Sequence, residues 1–190
     1  MDIKTAIKES IATKTRLIED KEMIERIGQA VQVCINGFKN GKKLYLCGNG
    51  GSAADAQHIA AELSGRFNYD RKPLPAEALH VNTSFLTAVA NDYDYTKVYS
   101  RMVEAFGNEG DVLIGISTSG NSANVVEAMK TAKEQKMTTI GFTGENGGKL
   151  AGFSDICIQV PSDNVARIQE SHILIGHILC EEIEKALFPR

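Results

Sequence analysis

The sequence predicts an α/β fold: a single three-layer domain with a parallel sheet flanked by helices, preceded by an N-terminal helical extension. Three observations predict it. Short apolar runs alternate with helical stretches, two of the junctions between them are rich in Gly, Ser and Asn, and residues 2–39 carry a helical period before the first apolar run begins. Strands alternating with helices imply right-handed crossovers and a parallel sheet covered on both faces. No linker or low-complexity stretch marks a second domain, so the chain divides into a helical extension over 1–40 and one α/β domain over 41–190.

Within 2–39, Ile3, Ile7 and Ile11 recur at four-residue spacing, followed by Ile24, Ile27 and Val31, the period of an amphipathic helix. Gly37 and Gly41 punctuate its end. From Lys42 the period changes. Lys43-Leu44-Tyr45-Leu46-Cys47 predicts a strand, Gly48-Asn49-Gly50-Gly51-Ser52 a turn, and the stretch to about Leu63 a helix. Residues 76–82 predict another strand and 83–90 a short helix. The unit then recurs, with a strand over Asp111–Ile116, a turn over Ser117–Ser122 and a helix over 123–135. Thr138–Phe142 is a third such strand, ahead of a Gly-rich loop and a short helical piece, and Ile156–Val160 ends the sheet at Pro161. Residues 164–187 predict a long C-terminal helix, apolar over much of its circumference from Ile168 to Leu187. Such a helix is buried, in part against another subunit.

Composition narrows the function. Lys and Arg number 21 against 24 Asp and Glu, a formal net charge of −3 with no basic patch, so nothing draws in nucleic acid or an acidic membrane surface. No run reaches the ~20 apolar residues that cross a bilayer. The opening Met1-Asp2-Ile3-Lys4 leads into mixed charged and apolar residues rather than the apolar core of a signal peptide. Cys34, Cys47, Cys157 and Cys180 are far apart, without a Cys-x-x-Cys pair. They read as buried thiols in a reducing compartment, and the expected location is cytoplasmic.

The two Gly- and Ser-rich turns each follow a strand and open a helix, at the sheet edge where open α/β folds bind ligands. Helix N-termini there offer unpaired N–H groups and partial positive charge to a phosphate. Glycines at 48, 50 and 51 let the backbone approach a ligand closely, and Ser117, Thr118, Ser119 and Ser122 add hydroxyl donors. Neither turn ends in Gly-Lys-Ser/Thr, and no Gly-x-Gly-x-x-Gly precedes an acidic ribose ligand, so a nucleotide is disfavoured. Ser, Asn and Gly also serve simply as caps and turn residues; two such loops at one edge favour an anion site.

A second constellation combines acid, imidazole and amide. His58 and Glu62 are four residues apart on one helix and project from one face. Gln169 and His177 lie on the C-terminal helix. Together they suit a divalent metal or an acid–base pair, although His58 with Glu62 is equally consistent with a surface pair. His80 and His172 read as packed core residues, Arg66 and Arg167 as ion-pair or helix-end charges, and Asp92 as a turn residue after Asn91.

These segments, in this order, resemble the phosphoheptose isomerase family within the sugar-isomerase (SIS) domain superfamily. The resemblance runs from Cys47 through Ser52, Asp55-Ala56-Gln57-His58, Glu62 through Arg66, Asn91-Asp92 and Gly115 through Ser122 to Ala166 through Glu170 and His177. It implies a SIS-domain, flavodoxin-like architecture over 41–190 and interconversion of D-sedoheptulose 7-phosphate and D-glycero-D-manno-heptose 7-phosphate through an enediol, supplying bacterial heptose and lipopolysaccharide precursors. It further implies a homotetramer with one zinc per subunit and active sites at subunit interfaces. Glu62 resembles the family's general base and His177 its general acid. His58, Glu62, Gln169 and His177 resemble the zinc ligands, and Asn49, Gly50, Gly51, Ser52, Glu62, Asn91, Asp92, Ser117, Thr118, Ser119, Ser122 and Gln169 the substrate contacts. Gln169 and His177 are eight residues apart, about 12 Å along a helix, so one metal takes both only if their side chains converge or separate subunits contribute. Ala166 departs from members with an acidic residue there. A rival of another class is a non-catalytic SIS paralogue that binds the bacterial replication initiator; it lacks the counterparts of Glu62 and His177, which this chain keeps.

Overall fold

A computed structural model describes residues 2–190. Five strands form one parallel sheet: β1 (Leu44–Gly48), β2 (Ala76–Ala78), β3 (Val112–Ile116), β4 (Thr138–Gly144) and β5 (Ile156–Val160), in the order β2-β1-β3-β4-β5. Every residue of β1 and β3 is buried, as expected of strands covered on both faces. In register, Leu44 of β1 lies opposite Ala76 on one side and Val112 on the other. The order runs outward from β1 to β2, then returns to β3 and continues the other way. That reversal opens a crevice between the carboxyl ends of β1 and β3.

Helices α1 (Ile3–Glu19), α2 (Lys21–Lys39), α3 (Gly51–Ser64) and α8 (Val165–Leu187) cover one face. Helices α4 (Thr83–Asp92), α5 (Val98–Phe106), α6 (Ala123–Glu134) and α7 (Gly148–Ala151) cover the other. The elements following β1 and β3 therefore leave the crevice on opposite faces. Side-chain caps fix several starts: Asp20 accepts from Met23 N at 3.0 Å, Asn82 from Phe85 N at 3.1 Å and Asn164 from Ala166 N at 3.0 Å.

Three departures from the expected elements have local causes. The helical run over 2–39 breaks at Asp20, whose backbone is extended while its carboxylate caps α2. The strand expected over 76–82 pairs only at Ala76–Ala78, since Asn82 already caps α4. Helix α5 was not anticipated. Its period is present in Val98, Tyr99, Met102 and Val103, all buried, but its nine residues are too few for a helical period to stand out.

The apolar C-terminal helix is covered mostly by its own chain. α8 lies between α2 and α3, with Ile168, Ile175, Leu179 and Ile183 in the core and Ile173, Ile178 and Leu187 packed on it. An exposed apolar stripe lies instead on α1, where Ile3, Ile7 and Ile11 are 68%, 56% and 60% exposed, with Ile18 near the end of α1 and Ile24 on α2 also exposed.

Candidate functional site

At the crevice the two turns are tied together by a pair of amides. Asn49, after β1, donates to Asn124 Oδ1 at 2.8 Å, and Asn124, in the first turn of α6, donates back to Asn49 Oδ1 at 2.9 Å. The Tyr95 hydroxyl also donates to Asn49 Oδ1, at 3.3 Å. Gly50 sits at φ 55°, a conformation natural to glycine, and N-caps α3 without a side chain. Ser122 N-caps α6, and its side chain likewise makes no cap bond. Neither helix start is closed by its own N-cap side chain, although Ala53 N bonds to the Gly50 carbonyl at 3.1 Å and Val125 N to Asn124 Oδ1 at 3.0 Å; the positive end of each helix still favours an anion.

The hydroxyls of the second turn converge. Ser117 Oγ lies 2.9 Å from Ser122 Oγ and 3.5 Å from Ser119 Oγ, and Asn121 N donates to Ser119 Oγ at 3.1 Å. Ser117 is buried, Thr118 and Ser122 are half-buried, and Ser119 is exposed. A cavity of about 280 Å³ opens beside them, lined by Thr118, Ser119, Asn121, Ser162 and Asp163 among others.

The acid and imidazole groups meet on the seam between α3 and α8. The two helices run side by side: Gln169 faces Gly51, Gly176 faces Ile59 and His177 faces His58. A Cβ on Gly51 would run into the Gln169 amide, so the glycine is what admits that side chain to the first turn. His58 Nε2 lies 3.1 Å from Glu62 Oε1 and 3.1 Å from His177 Nε2. Tetrahedral zinc, a borderline-soft ion with bonds of about 2.0–2.1 Å, holds neighbouring nitrogens about 3.3 Å apart, so this imidazole and carboxylate donor set fits such an ion. The ligand atoms of all three residues lie within 4.8 Å of one another. Gln169 stands toward the first turn beside Gly51, so within one chain its side chain does not converge with that of His177.

The remaining residues divide plainly. Ser52 is buried in the first turn of α3. Asn91 and Asp92 are exposed at the end of α4, where the Asn91 amide donates to Asp92 at 2.9 Å. His172 is a core residue: Nε2–H donates to the Thr143 carbonyl at 3.1 Å, and burial holds the ring's pKa down to about 4. His80 pairs with Gln57 at 3.2 Å. Arg167 pairs with Glu170 and, at 3.5 Å, with Glu9, while Arg66 is exposed. All four cysteines are free thiols, and burial pushes Cys34, Cys47 and Cys180 up to about 12.

Sequence reasoning missed Asn124 and Tyr95, which hold Asn49, and Asp55. Asp55 shares a helical face with His58 and Glu62 (residues i, i+3, i+7), and one carboxylate oxygen is buried without a partner. Burial pushes its pKa up to about 6 against the pull of His58.

The chain is similar to known proteins over most of its length. A family model described as the SIS domain matches residues 7–144. A phosphoheptose isomerase from Clostridium acetobutylicum is 55% identical over 186 residues, spanning 98% of this chain and 95% of that protein. The structure of phosphoheptose isomerase from Neisseria gonorrhoeae superposes with a TM-score of 0.91 at 45% identity, covering 96% of this chain and 97% of that one. The phosphoheptose isomerase structure from Francisella tularensis superposes with a TM-score of 0.92 at 39% identity, covering 96% of both chains. With such identity over nearly its whole length, the chain belongs to the phosphoheptose isomerase family of SIS-domain proteins.

Proposed function

We propose that this chain interconverts D-sedoheptulose 7-phosphate and D-glycero-D-manno-heptose 7-phosphate, as an aldose–ketose isomerase feeding heptose into lipopolysaccharide precursors in the bacterial cytoplasm. Residues 41–190 form its sugar-phosphate domain and 1–40 its helical extension. The observation that carries the reading is the convergence of His58, Glu62 and His177, on the same α/β scaffold as a hydroxyl-lined, uncapped helix N-terminus. The first supplies proton transfer and the second an anchor for phosphate.

In the ketose-to-aldose direction a proton leaves C1, an enediol forms, and a proton is returned to C2 while the hydroxyl proton moves from O1 to O2. Glu62 Oε1 faces His58 at 3.1 Å, which leaves the other carboxylate oxygen to take and return the carbon-bound proton. His177 moves the proton at the sugar oxygens. Ser117, Ser119 and Ser122, with the N-terminus of α6, hold the phosphate; Asn49, Gly50, Gly51, Ser52, Thr118, Asn91, Asp92 and Gln169 orient the chain of hydroxyls. One zinc per subunit, held by His58, Glu62 and His177 with Gln169 contributed by a separate subunit, would polarise the carbonyl and stabilise charge on the enediol oxygens.

The site is completed by assembly. His58 lies seven residues beyond Gly51, about 10 Å along α3, and its side chain is 47% exposed. A neighbouring chain is therefore needed to close the pocket over it. The exposed Ile3, Ile7 and Ile11 offer the apolar surface for a closed oligomer, a homotetramer. Pure protein incubated with sedoheptulose 7-phosphate and zinc, followed by NMR, should generate the aldose anomeric signals. Folded protein that leaves the ketose unchanged overturns the reading. Ile7→Asp with Ile11→Asp should shift light scattering toward smaller species, and an unchanged mass overturns the assembly.

A further inference from the structure

The loop that follows α3 is wound around a charge pair buried in the core. The Arg71 side chain is 2% exposed and that of Glu184, on α8, is 0% exposed, with Arg71 Nε donating to Glu184 Oε1 at 3.0 Å. Two buried charges are costly unless every donor and acceptor is used, and here they are used on the end of α3 and on the loop that follows it. Arg71 Nη2 donates to the Glu62 carbonyl at 2.9 Å, and Nη1 to the carbonyls of Leu63 at 2.7 Å and Gly65 at 3.1 Å. These are carbonyls that the end of α3 leaves without helical partners. Glu184 accepts from Phe67 N at 3.0 Å and Asn68 N at 2.8 Å.

The two ends of this pair lead to the two sides of the acid–base cluster. Arg71 grips the backbone of Glu62 itself. Glu184 follows His177 by seven residues, on the same face of α8, and its bond to Phe67 N holds that ring beside His177, with centroids 5.8 Å apart. Midway, α3 and α8 approach so closely that a Cβ on Gly176 would sit 2.5 Å from Ile59 Cδ1. The seam is therefore tight at its middle and locked at one end by Arg71 and Glu184.

We propose that Arg71 and Glu184 are positioning residues: the pair sets the placement of Glu62 relative to His58 and His177, and so the geometry of proton transfer and metal binding. This rests on the reading of that cluster as the acid–base and metal site. A misplacement of about 1 Å from a remote change can cost about 10²-fold in rate, and outer-shell changes about 10–100-fold in metal affinity.

The test pairs two variants of the full-length protein. Arg71→Lys keeps the charge and its reach to Glu184 but lacks the fork that also grips the Glu62 carbonyl. Arg71→Met with Glu184→Met removes both buried charges at once, a replacement that is often neutral or stabilising. For both we expect kcat to fall about 10–100-fold with KM within about threefold of wild type, because the phosphate loop is untouched, and zinc in a chelator competition to bind about 10-fold more weakly. Wild-type kcat and zinc affinity in a folded double variant would overturn the proposal by reducing the pair to scaffolding. A complete failure of both variants to fold would overturn it equally. Loss of turnover in wild type itself would strike the isomerase reading instead, while the zinc competition would still decide whether the pair shapes the cluster.

Discussion

The turn after β3 and the seam between α3 and α8 solve different problems with different materials. The turn is built from neighbours in sequence, whose hydroxyls and N–H groups converge within six residues, Ser117–Ser122. The seam is built from residues 119 positions apart, His58 and His177, brought together only because α8 lies along α3. The first needs a local conformation. The second needs the whole fold, and a buried ion pair at its end. Binding the phosphate and moving the proton should therefore respond separately to substitution.

The largest separation is expected at the seam. Glu62→Gln removes the proposed proton acceptor and keeps the shape, so turnover should fall about 10²–10⁴-fold while substrate still binds. His177→Asn should cost a comparable factor. The double variant should be little worse than either, since groups acting as one unit are not additive. Steady-state kinetics that returned wild-type turnover for both single variants would remove these residues from the mechanism.

His172 sharpens the contrast on the same helix. His177 faces the cluster; His172 is buried and kept neutral, with its pKa lowered to about 4. A histidine depressed in the fold and normal when unfolded takes up its proton only by unfolding, so stability is lost as pH falls from about 6.5 toward 4. The loss amounts to roughly 3 kcal/mol across that window. Thermal melts between pH 7.5 and 4.5 should show it, and His172→Gln, which keeps a donor to Thr143, should reduce the acid sensitivity. Parallel pH profiles for the two proteins would contradict the neutral core histidine.

At the turn, Ser119→Ala should weaken the phosphorylated sugar by one charged hydrogen bond, ~1.5–3 kcal/mol, or about 10–100-fold in KM, with kcat close to wild type. An unchanged KM would move the phosphate elsewhere. The smallest effect belongs to Asp55, whose pKa is raised to about 6 by burial. A carboxylate raised in the fold stabilises least once ionised, so the stability it costs appears as pH rises through about 6. Asp55→Asn should raise the melting temperature by a few degrees at pH 8 and leave it unchanged at pH 4. The opposite pH dependence would mean that the carboxylate is paired in the assembled protein.

The same contrast explains what was legible in the sequence. Strand, glycine-rich turn and helix follow one another within about 20 residues at β1–α3 and β3–α6, so periodicity and turn chemistry read them directly. The pairing of His58 with Glu62 was legible from helical spacing. Their meeting with His177 was not, because spacing fixes a face of α8 but not which helix that face touches; there the family resemblance, not the pattern, named the residue. Asn124 was hidden because a polar residue in a first helical turn is commonplace. Arg71 and Glu184 were hidden more deeply, since single charges in a loop and on a helix look solvated until the fold buries them. The oligomer was expected from the apolar circumference of α8, yet that surface is consumed within the chain and the exposed stripe lies on α1, whose four-residue Ile spacing was read only as helical period.

The most direct test of the account follows the proton itself. With the reaction run in D₂O, wild type should place deuterium at C2 of the aldose and at C1 of returned ketose, because a carboxylate base, proposed to be Glu62, exchanges the proton it carries. Glu62→Gln, saturated with sedoheptulose 7-phosphate, should show incorporation slowed at least about 10²-fold. Deuterium entering at the wild-type rate in Glu62→Gln, or aldose formed by wild type with no solvent deuterium, would contradict a carboxylate base on α3.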